Sequence, residues 1–203
     1  MYFMKTSKEK ILNAALTVFS EKGYDGALLR DISDSLGITK PALYKHFDSK
    51  ETLWNSMIDY VEAYYHEHTG KTCDMPIPDN WHQFKELSMS QIDFTLHDYT
   101  VRRVRRLLTI EQYRNERISA LATKHFITDI ESRYTYIFNG MVKKGIFSCA
   151  DTRLLAFQFT APITLLIHYC DREPDKEAQI VKKIEAHINK FEKIIKNNRS
   201  TPI

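Results

Sequence analysis

The chain has 203 residues, 43% of them apolar, with 29 basic and 26 acidic side chains and a net charge of +3. That length holds one or two small domains with a real core, and the composition excludes a disordered chain. Six glycines and six prolines leave few helix breakers, so a mostly helical protein is expected. Charge alone argues for no partner: residues 1–50 carry eight Lys/Arg against six Asp/Glu. Cys73, Cys149 and Cys170 are odd in number and widely spaced. They fit a reducing cytoplasm better than a disulfide framework. Met1 to Thr6 lacks the apolar run of a signal peptide, and no window approaches ~18 uninterrupted apolar residues, so no membrane span is expected.

In chain order, Met1 to Lys5 reads as a frayed start. Thr6 and Glu9 have capping-box spacing, and Ile11, Ala15, Val18 and Phe19 form one helical stripe that ends at Lys22-Gly23. Leu28 to Phe47 then reads as two short helices joined at a glycine. Ile32 and Leu36 share a face of the first, and Ser33 is small enough to let a second helix approach. Gly37 falls where that helix must stop. Thr39 caps the second, Pro41 fits its first turn, and Leu43 and Phe47 point to the core. Thr39, Lys40, Pro41, Ala42, Tyr44, Lys45 and His46 remain for the outer face. Small, polar and basic residues on a short exposed helix suit the DNA major groove, in the helix–turn–helix layout.

Asp48 and Glu51 read as the capping pair of a fourth helix, from about Ser49 to His68, with Leu53, Met57, Val61 and Tyr64 along one face. Lys50 lies in its first turn, where free N–H groups and a cation together favour a DNA phosphate. This helix is expected to be the rod joining a DNA-binding head to a body. Thr69 to Asp79 is a loop. The body follows as helices: Asn80 to His97 with Trp81, Phe84, Leu87 and Phe94 inside, Thr100 to Gln112, a long Glu116 to Lys144 ending at Gly145, and Thr152 to Cys170 capped by Asp151. Phe157 to Ile167 is apolar almost all round, which implies burial on every side, and Pro162 should kink it. Pro174 starts the last helix, with Ile180, Ile184, Ile188, Phe191 and Ile195 spaced by threes and fours, and the tail after Lys196 is polar and loose. An all-round apolar helix beside an amphipathic one needs a partner. A symmetric four-helix dimer interface supplies it, with Ile188 in that interface; a monomeric bundle core is the alternative.

The run Tyr44-Lys45-His46-Phe47-Asp48-Ser49-Lys50-Glu51-Thr52-Leu53 resembles the Y-x-H-F-x-x-K-E-x-L signature of TetR-family transcriptional repressors. Ile32-Ser33 and Leu36-Gly37-Ile38 resemble that family's I-A-x-x-x-G-V pattern. The resemblance covers roughly Lys8 to Leu53. It implies an all-α fold: an N-terminal three-helix helix–turn–helix DNA-binding domain, residues 1–48, and a C-terminal helical ligand-binding and dimerisation domain, residues 49–203. It also implies a homodimer paired through its last two helices, a palindromic double-stranded DNA operator, a small-molecule effector and a cytoplasmic location. The DNA contacts it implies are Arg30, Thr39, Lys40, Pro41, Ala42, Tyr44, Lys45, His46 and Lys50. Ala27-Leu28-Leu29 departs from the family, which carries Thr or Ser there; Gly26 takes a weak N-cap role instead, and Arg30 compensates for the lost hydroxyl or reaches a base edge.

Each candidate also has a plainer reading. Tyr44 is a phosphate or sugar contact or an aromatic tucked beside the fourth helix; His46 faces DNA, or caps or stacks. Arg102-Arg103-x-Arg105-Arg106 is an anion-binding patch, or a solvated face that pairs with Glu111 or contacts the head. His66-x-His68 cannot put both rings on one face, His125 and His168 read as core histidines, and no cysteine pair has zinc-site spacing, so no metal and no cofactor is expected. Trp81, Phe84, Phe94, Phe126, Tyr134, Phe138 and Phe159 line a ligand pocket or are simply core. No G-x-S-x-G, H-E-x-x-H or phosphate-binding glycine loop is present. The expectation is a DNA-binding regulator and not an enzyme, with a small helical enzyme or a protein-interaction module that lost DNA binding as rivals.

Overall fold

A computed structural model describes residues 7–69 and 72–197, and among these every regular element is helical. The calls on Met1 to Thr6, including the Thr6 cap, and on the polar tail from residue 198 lie outside the described residues, as do those on Gly70 and the His66 side chain. The chain forms two compact units, Met1–Gly70 with His97–Ala122, and Lys71–Leu96 with Thr123–Ile203.

The first unit is built on α1 (Ser7–Gly26), α2 (Leu29–Ser35), α3 (Lys40–Tyr44) and α4 (Lys50–Thr69), with α6 (Tyr99–Glu111) and α7 (Glu116–Thr123). α1 is its centre, packed on α2, α4 and α6. Ile11, Leu12, Ala15, Leu16, Val18 and Phe19 are all buried, a wider stripe than the four positions read from the sequence. Continuous helix stops at Gly23, whose φ of 70° and ψ of 175° are open only to glycine. The end of α2 closes as a Schellman turn: Ile38 N–H donates to Ser33 O and Gly37 N–H to Asp34 O, with Gly37 at φ 64°. Ser33 and Ile32 are buried, while Leu36 is half-buried.

Two capping assignments shift. α2 is capped by Leu28, not Gly26: Leu28 has no side-chain acceptor, but the Asp31 carboxylate reaches back to accept from its N–H at 3.1 Å. α4 is capped by Ser49, whose Oγ accepts from Thr52 N–H at 3.0 Å, not by Asp48 with Glu51. The two candidate pairs lie one residue apart with the same spacing, and Ser49 O also receives the first helical bond, from Leu53 N–H. Leu53, Trp54, Met57, Ile58 and Val61 form the buried face of α4, with Tyr64 half-buried.

The second unit holds α5 (Trp81–His97), α8 (Asp129–Lys143), α9 (Thr152–Arg172) and α10 (Glu177–Asn197). Trp81, Phe84, Ser88, Ile92 and Leu96 face inward from α5; Leu87 and Phe94 are only half-buried. The long helix expected over Glu116 to Lys144 is interrupted by a π turn at Lys124–Thr128, so α7 and α8 are separate. α8 ends in a second Schellman turn at Gly145, φ 72°. Gly140 on α8 admits Ile77: a Cβ there would stand 2.5 Å from Ile77 Cγ2. Pro174 opens a 3₁₀ turn, Pro174–Lys176, before α10.

α9 and α10 correct the expected interface. Leu155, Ala156, Phe159, Ile163 and Ile167 are buried, but Leu154, Phe157 and Leu165 are 52%, 50% and 68% exposed within one chain. α9 is therefore buried on one side only. Ile180, Ile184, Ile188 and Phe191 all face the unit's own core, so Ile188 is a core residue and not an interface residue.

Candidate nucleic-acid interface

α3 is too short to be stable alone, and its orientation comes from its ends and one anchor. Thr39 Oγ1 accepts from Ala42 N–H at 3.3 Å, Pro41 occupies the first turn, and Leu43 and Phe47 are sunk into the unit. That leaves Thr39, Lys40, Pro41, Tyr44, Lys45 and His46 exposed on one outward surface, with Ala42 half-buried among them. Tyr44 is 39% exposed, and the Lys40 ammonium lies 5.7 Å from its ring centroid. Arg30 projects from α2 with 81% of its side chain exposed, and its Nε stands 3.4 Å from Asp34 Oδ2. An exposed pair of this kind holds the guanidinium only weakly, so a phosphate or base edge can displace the carboxylate.

Lys50 is placed differently from the α3 lysines. It opens α4, half-buried, with Nζ 4.5 Å from the Tyr24 ring centroid and 3.5 Å from Asp25 O. The Tyr24 ring in turn meets Trp54 edge-on at 5.0 Å, and Trp54 meets Phe19 at 4.9 Å. Burial, with Glu51 and Asp25 nearby, raises the Tyr24 pKa above the usual phenol value. Lys22 and Asp31 pair at 2.8 Å, and the same carboxylate caps α2. The Lys22 bond, helped by the Leu28 N–H, holds the Asp31 carboxyl below its usual pKa. α2 and α4 are thus fixed to α1 or to the turn that follows it, and α3 packs on α2.

Residues 11–57 match the profile of bacterial regulatory proteins of the tetR family. Residues 11–57 are a tetR-family domain. The chain is 47% identical over 58 residues to IcaR of Staphylococcus epidermidis, the negative transcriptional regulator of the biofilm operon icaADBC, and 51% identical over 51 residues to IcaR of Staphylococcus aureus. Those stretches cover 29% and 25% of this chain and 31% and 27% of the relatives, so the chain aligns with less than a third of either curated relative. Over nearly the whole chain the fold matches TetR-family structures. A TetR transcription regulator from Haloarcula marismortui superposes with a TM-score of 0.70 at 14% identity, over 93% of this chain and 97% of its own. SmeT, the repressor of the Stenotrophomonas maltophilia multidrug efflux pump SmeDEF, gives 0.64 at 18% identity, over 92% and 89%. At such identities these likenesses establish the fold: an N-terminal tetR-family helix–turn–helix domain followed by a helical C-terminal part.

Within the tetR-family domain, the departure at Leu28 is now concrete. The position of the missing hydroxyl is the N-cap of α2, and an apolar side chain 61% exposed stands there. Residues with no motif support the domain from α6. Glu111, 3% exposed, accepts from Tyr24 N–H at 2.9 Å. Arg103 packs its guanidinium 3.3 Å from the Tyr99 ring centroid and donates to Thr17 Oγ1 on α1, while Arg105 is buried. Arg102 and Arg106 are exposed. The run is therefore mixed, part head contact and part open surface. Nothing in the local sequence pointed to Tyr24 or Trp54, and Glu111 was read only as a partner of the arginine run, because the Tyr24–Glu111 bond joins residues 87 positions apart.

The remaining candidates separate in the second unit. Trp81, Phe84, Tyr134, Phe138 and Phe159 form one buried aromatic cluster, with ring centroids 4.8 to 6.2 Å apart. Phe94 and Phe126 are half-buried, as are His125 and His168, and His168 meets Phe126 edge-on at 4.7 Å. Burial pushes the Tyr134 phenol up to about 12. Among the described residues no three His, Cys, Asp or Glu side chains gather as a metal site, and no helix is long and apolar enough to cross a membrane.

Proposed function

We propose that this chain is a dimeric, ligand-responsive transcriptional repressor of the TetR type, acting in the cytoplasm on a palindromic operator. The observation that carries the reading is the outward surface of α3 and its two ends, where six exposed residues between Thr39 and His46 surround the buried anchor Leu43, with Lys50 at the first turn of α4. Thr39, Lys40, Ala42 and Tyr44 enter the major groove, a methyl such as that of Ala42 touching thymine; Pro41, Lys45 and His46 flank them, and Arg30 reaches a phosphate or base edge. Lys50 neutralises a phosphate with the free N–H groups of its helix. Residues 1–48 form the DNA-binding domain, with Lys50 adding a contact from just beyond it, and residues 49–203 carry dimerisation and effector binding.

The exposed α9 stripe of Leu154, Phe157 and Leu165 supports pairing about a two-fold axis, since so large an apolar strip is costly to leave in water. Two heads then address two half-sites in successive major grooves. The effector acts by population shift: it favours a state whose heads no longer match the operator. A full switch needs a preference of roughly 5 kcal/mol for that state.

The test is fluorescence anisotropy over a salt series, using a duplex selected by the protein from a random-sequence pool and a scrambled duplex of equal length. Tight binding to the selected duplex, falling steeply with salt, is expected. Tyr44→Ala and Lys50→Ala should each weaken it with little change in melting temperature. Equal, weak binding to both duplexes would overturn the reading in favour of an interaction module without DNA specificity.

A further inference from the structure

We propose that Glu111 is a positioning residue for the Lys50 phosphate contact, acting through the Gly23–Tyr24 turn. The inference rests on the reading of Lys50 as a phosphate contact. Gly23 holds a backbone conformation that only glycine adopts, and a Cβ there would stand 2.5 Å from Glu111 Oε1. Tyr24 N–H, the next donor along, gives its hydrogen bond to that same oxygen at 2.9 Å. The Tyr24 ring carries the Lys50 ammonium at 4.5 Å, and Asp25 O takes the ammonium at 3.5 Å. Phe19 stacks with the Tyr24 ring at 6.0 Å and Trp54 meets it edge-on at 5.0 Å, which packs the ring in place.

Together these make a short mechanical path. The turn between α1 and α2 is clamped on one side by a carboxylate of α6, and on the other it forms the seat of the first lysine of α4. The seat is made of a ring face and a backbone carbonyl. Both bind an ammonium more weakly than a phosphate does. Lys50 is therefore held near its working position without being consumed by an internal salt bridge. Loss of the Glu111 bond frees the Tyr24 N–H and lets the turn relax from its glycine-only geometry, and the seat moves with it. What the clamp requires of Glu111 is an acceptor oxygen at that spot. The negative charge is not required, and burying it is unfavourable.

The test is a double-mutant cycle in operator affinity, read on the selected duplex together with far-UV thermal melts. Glu111→Ala is expected to weaken binding by about tenfold, the upper end of the range for one ordinary hydrogen bond. Glu111→Gln, whose amide oxygen also accepts from Tyr24 N–H, should bind within about twofold of the parent. In a Lys50→Ala background, Glu111→Ala should cost almost nothing further, whereas in a Tyr44→Ala background it should cost its full factor. Should Glu111→Ala fail to fold, Tyr24→Leu removes the ring seat and leaves the Glu111 bond in place; its loss should likewise vanish in the Lys50→Ala background. Additive losses in that background, or a Glu111→Gln loss equal to that of Glu111→Ala, would overturn the proposal. If Lys50→Ala alone leaves affinity and salt slope unchanged, the phosphate reading itself has failed.

Discussion

Leu28 shows what a single position contributes to the head. It occupies the N-cap of α2 with no oxygen to offer, and one half of the usual reciprocal pair is supplied by Asp31, which accepts from Leu28 N–H at 3.1 Å and is itself held by Lys22 at 2.8 Å. The side chain is 61% exposed, so exchanging it disturbs no packing. Leu28→Thr adds the missing acceptor for an N–H of the first turn of α2. It should raise stability by about 1 kcal/mol, read as a higher denaturant midpoint with an unchanged slope. Operator binding should tighten as well if the new hydroxyl meets a phosphate. A lower midpoint would show that the Asp31 arrangement already satisfies the helix end. The same residue marks the limit of sequence reading at this scale. The absent hydroxyl was visible in Ala27-Leu28-Leu29, but the choice between Gly26 and Leu28 as cap depends on where α2 enters from the glycine break at Gly23, beside which Tyr24 N–H is held by Glu111, 87 residues further along the chain.

At the scale of elements, periodicity and capping chemistry carried most of the helices, because apolar spacing and a local donor–acceptor pair are both short-range. Gly37 and Gly145 fall where the sequence demanded helix ends, and Thr39 and Asp151 cap as expected. The misses are also physical. Asp48/Glu51 and Ser49/Thr52 offer the same spacing one residue apart, and the π turn at Lys124–Thr128 leaves no mark in the apolar pattern. The candidate DNA contacts were legible because they lie within one short motif, whereas their braces were not. Among the tertiary bonds that fix these helices, Tyr64 on α4 donates to Asp98 Oδ2 at 2.8 Å, while Asp98 Oδ1 caps α6 by accepting from Val101 N–H. Burial first, then this bond, raises the Tyr64 pKa to about 12. The folded-state value exceeds the unfolded one, so the contribution is whole below pH 10 and is lost as pH rises from there through about 12. Tyr64→Phe should therefore lower the melting temperature at pH 8 and make its alkaline decline shallower. An unchanged alkaline slope would mean that the phenol is not ionising with unfolding.

For the whole molecule, α9 and α10 decide between a monomer and a dimer, and two substitutions separate the cases. The sequence pattern of α9 is apolar all round, which cannot say which side the chain itself covers; the structure divides it into a buried side and an outward stripe that includes Leu165 at 68% exposure. Leu165→Glu removes nothing from the core. In a two-fold interface it acts twice, and two lost burials at roughly 2 kcal/mol each weaken association by about a thousandfold. Ile188→Glu, at 2% exposure among Phe159, Phe191 and their neighbours, instead places a carboxylate in the core and should destabilise the fold by several kcal/mol. Sedimentation velocity with far-UV circular dichroism reads both. The expected pattern is a folded monomer for Leu165→Glu and loss of structure for Ile188→Glu. A palindromic site also requires two linked heads, so the Leu165→Glu monomer should lose most of its affinity for the full operator and keep its affinity for an isolated half-site. If Leu165→Glu remains a dimer, the two-fold axis runs through another surface and the α9 stripe has a different partner.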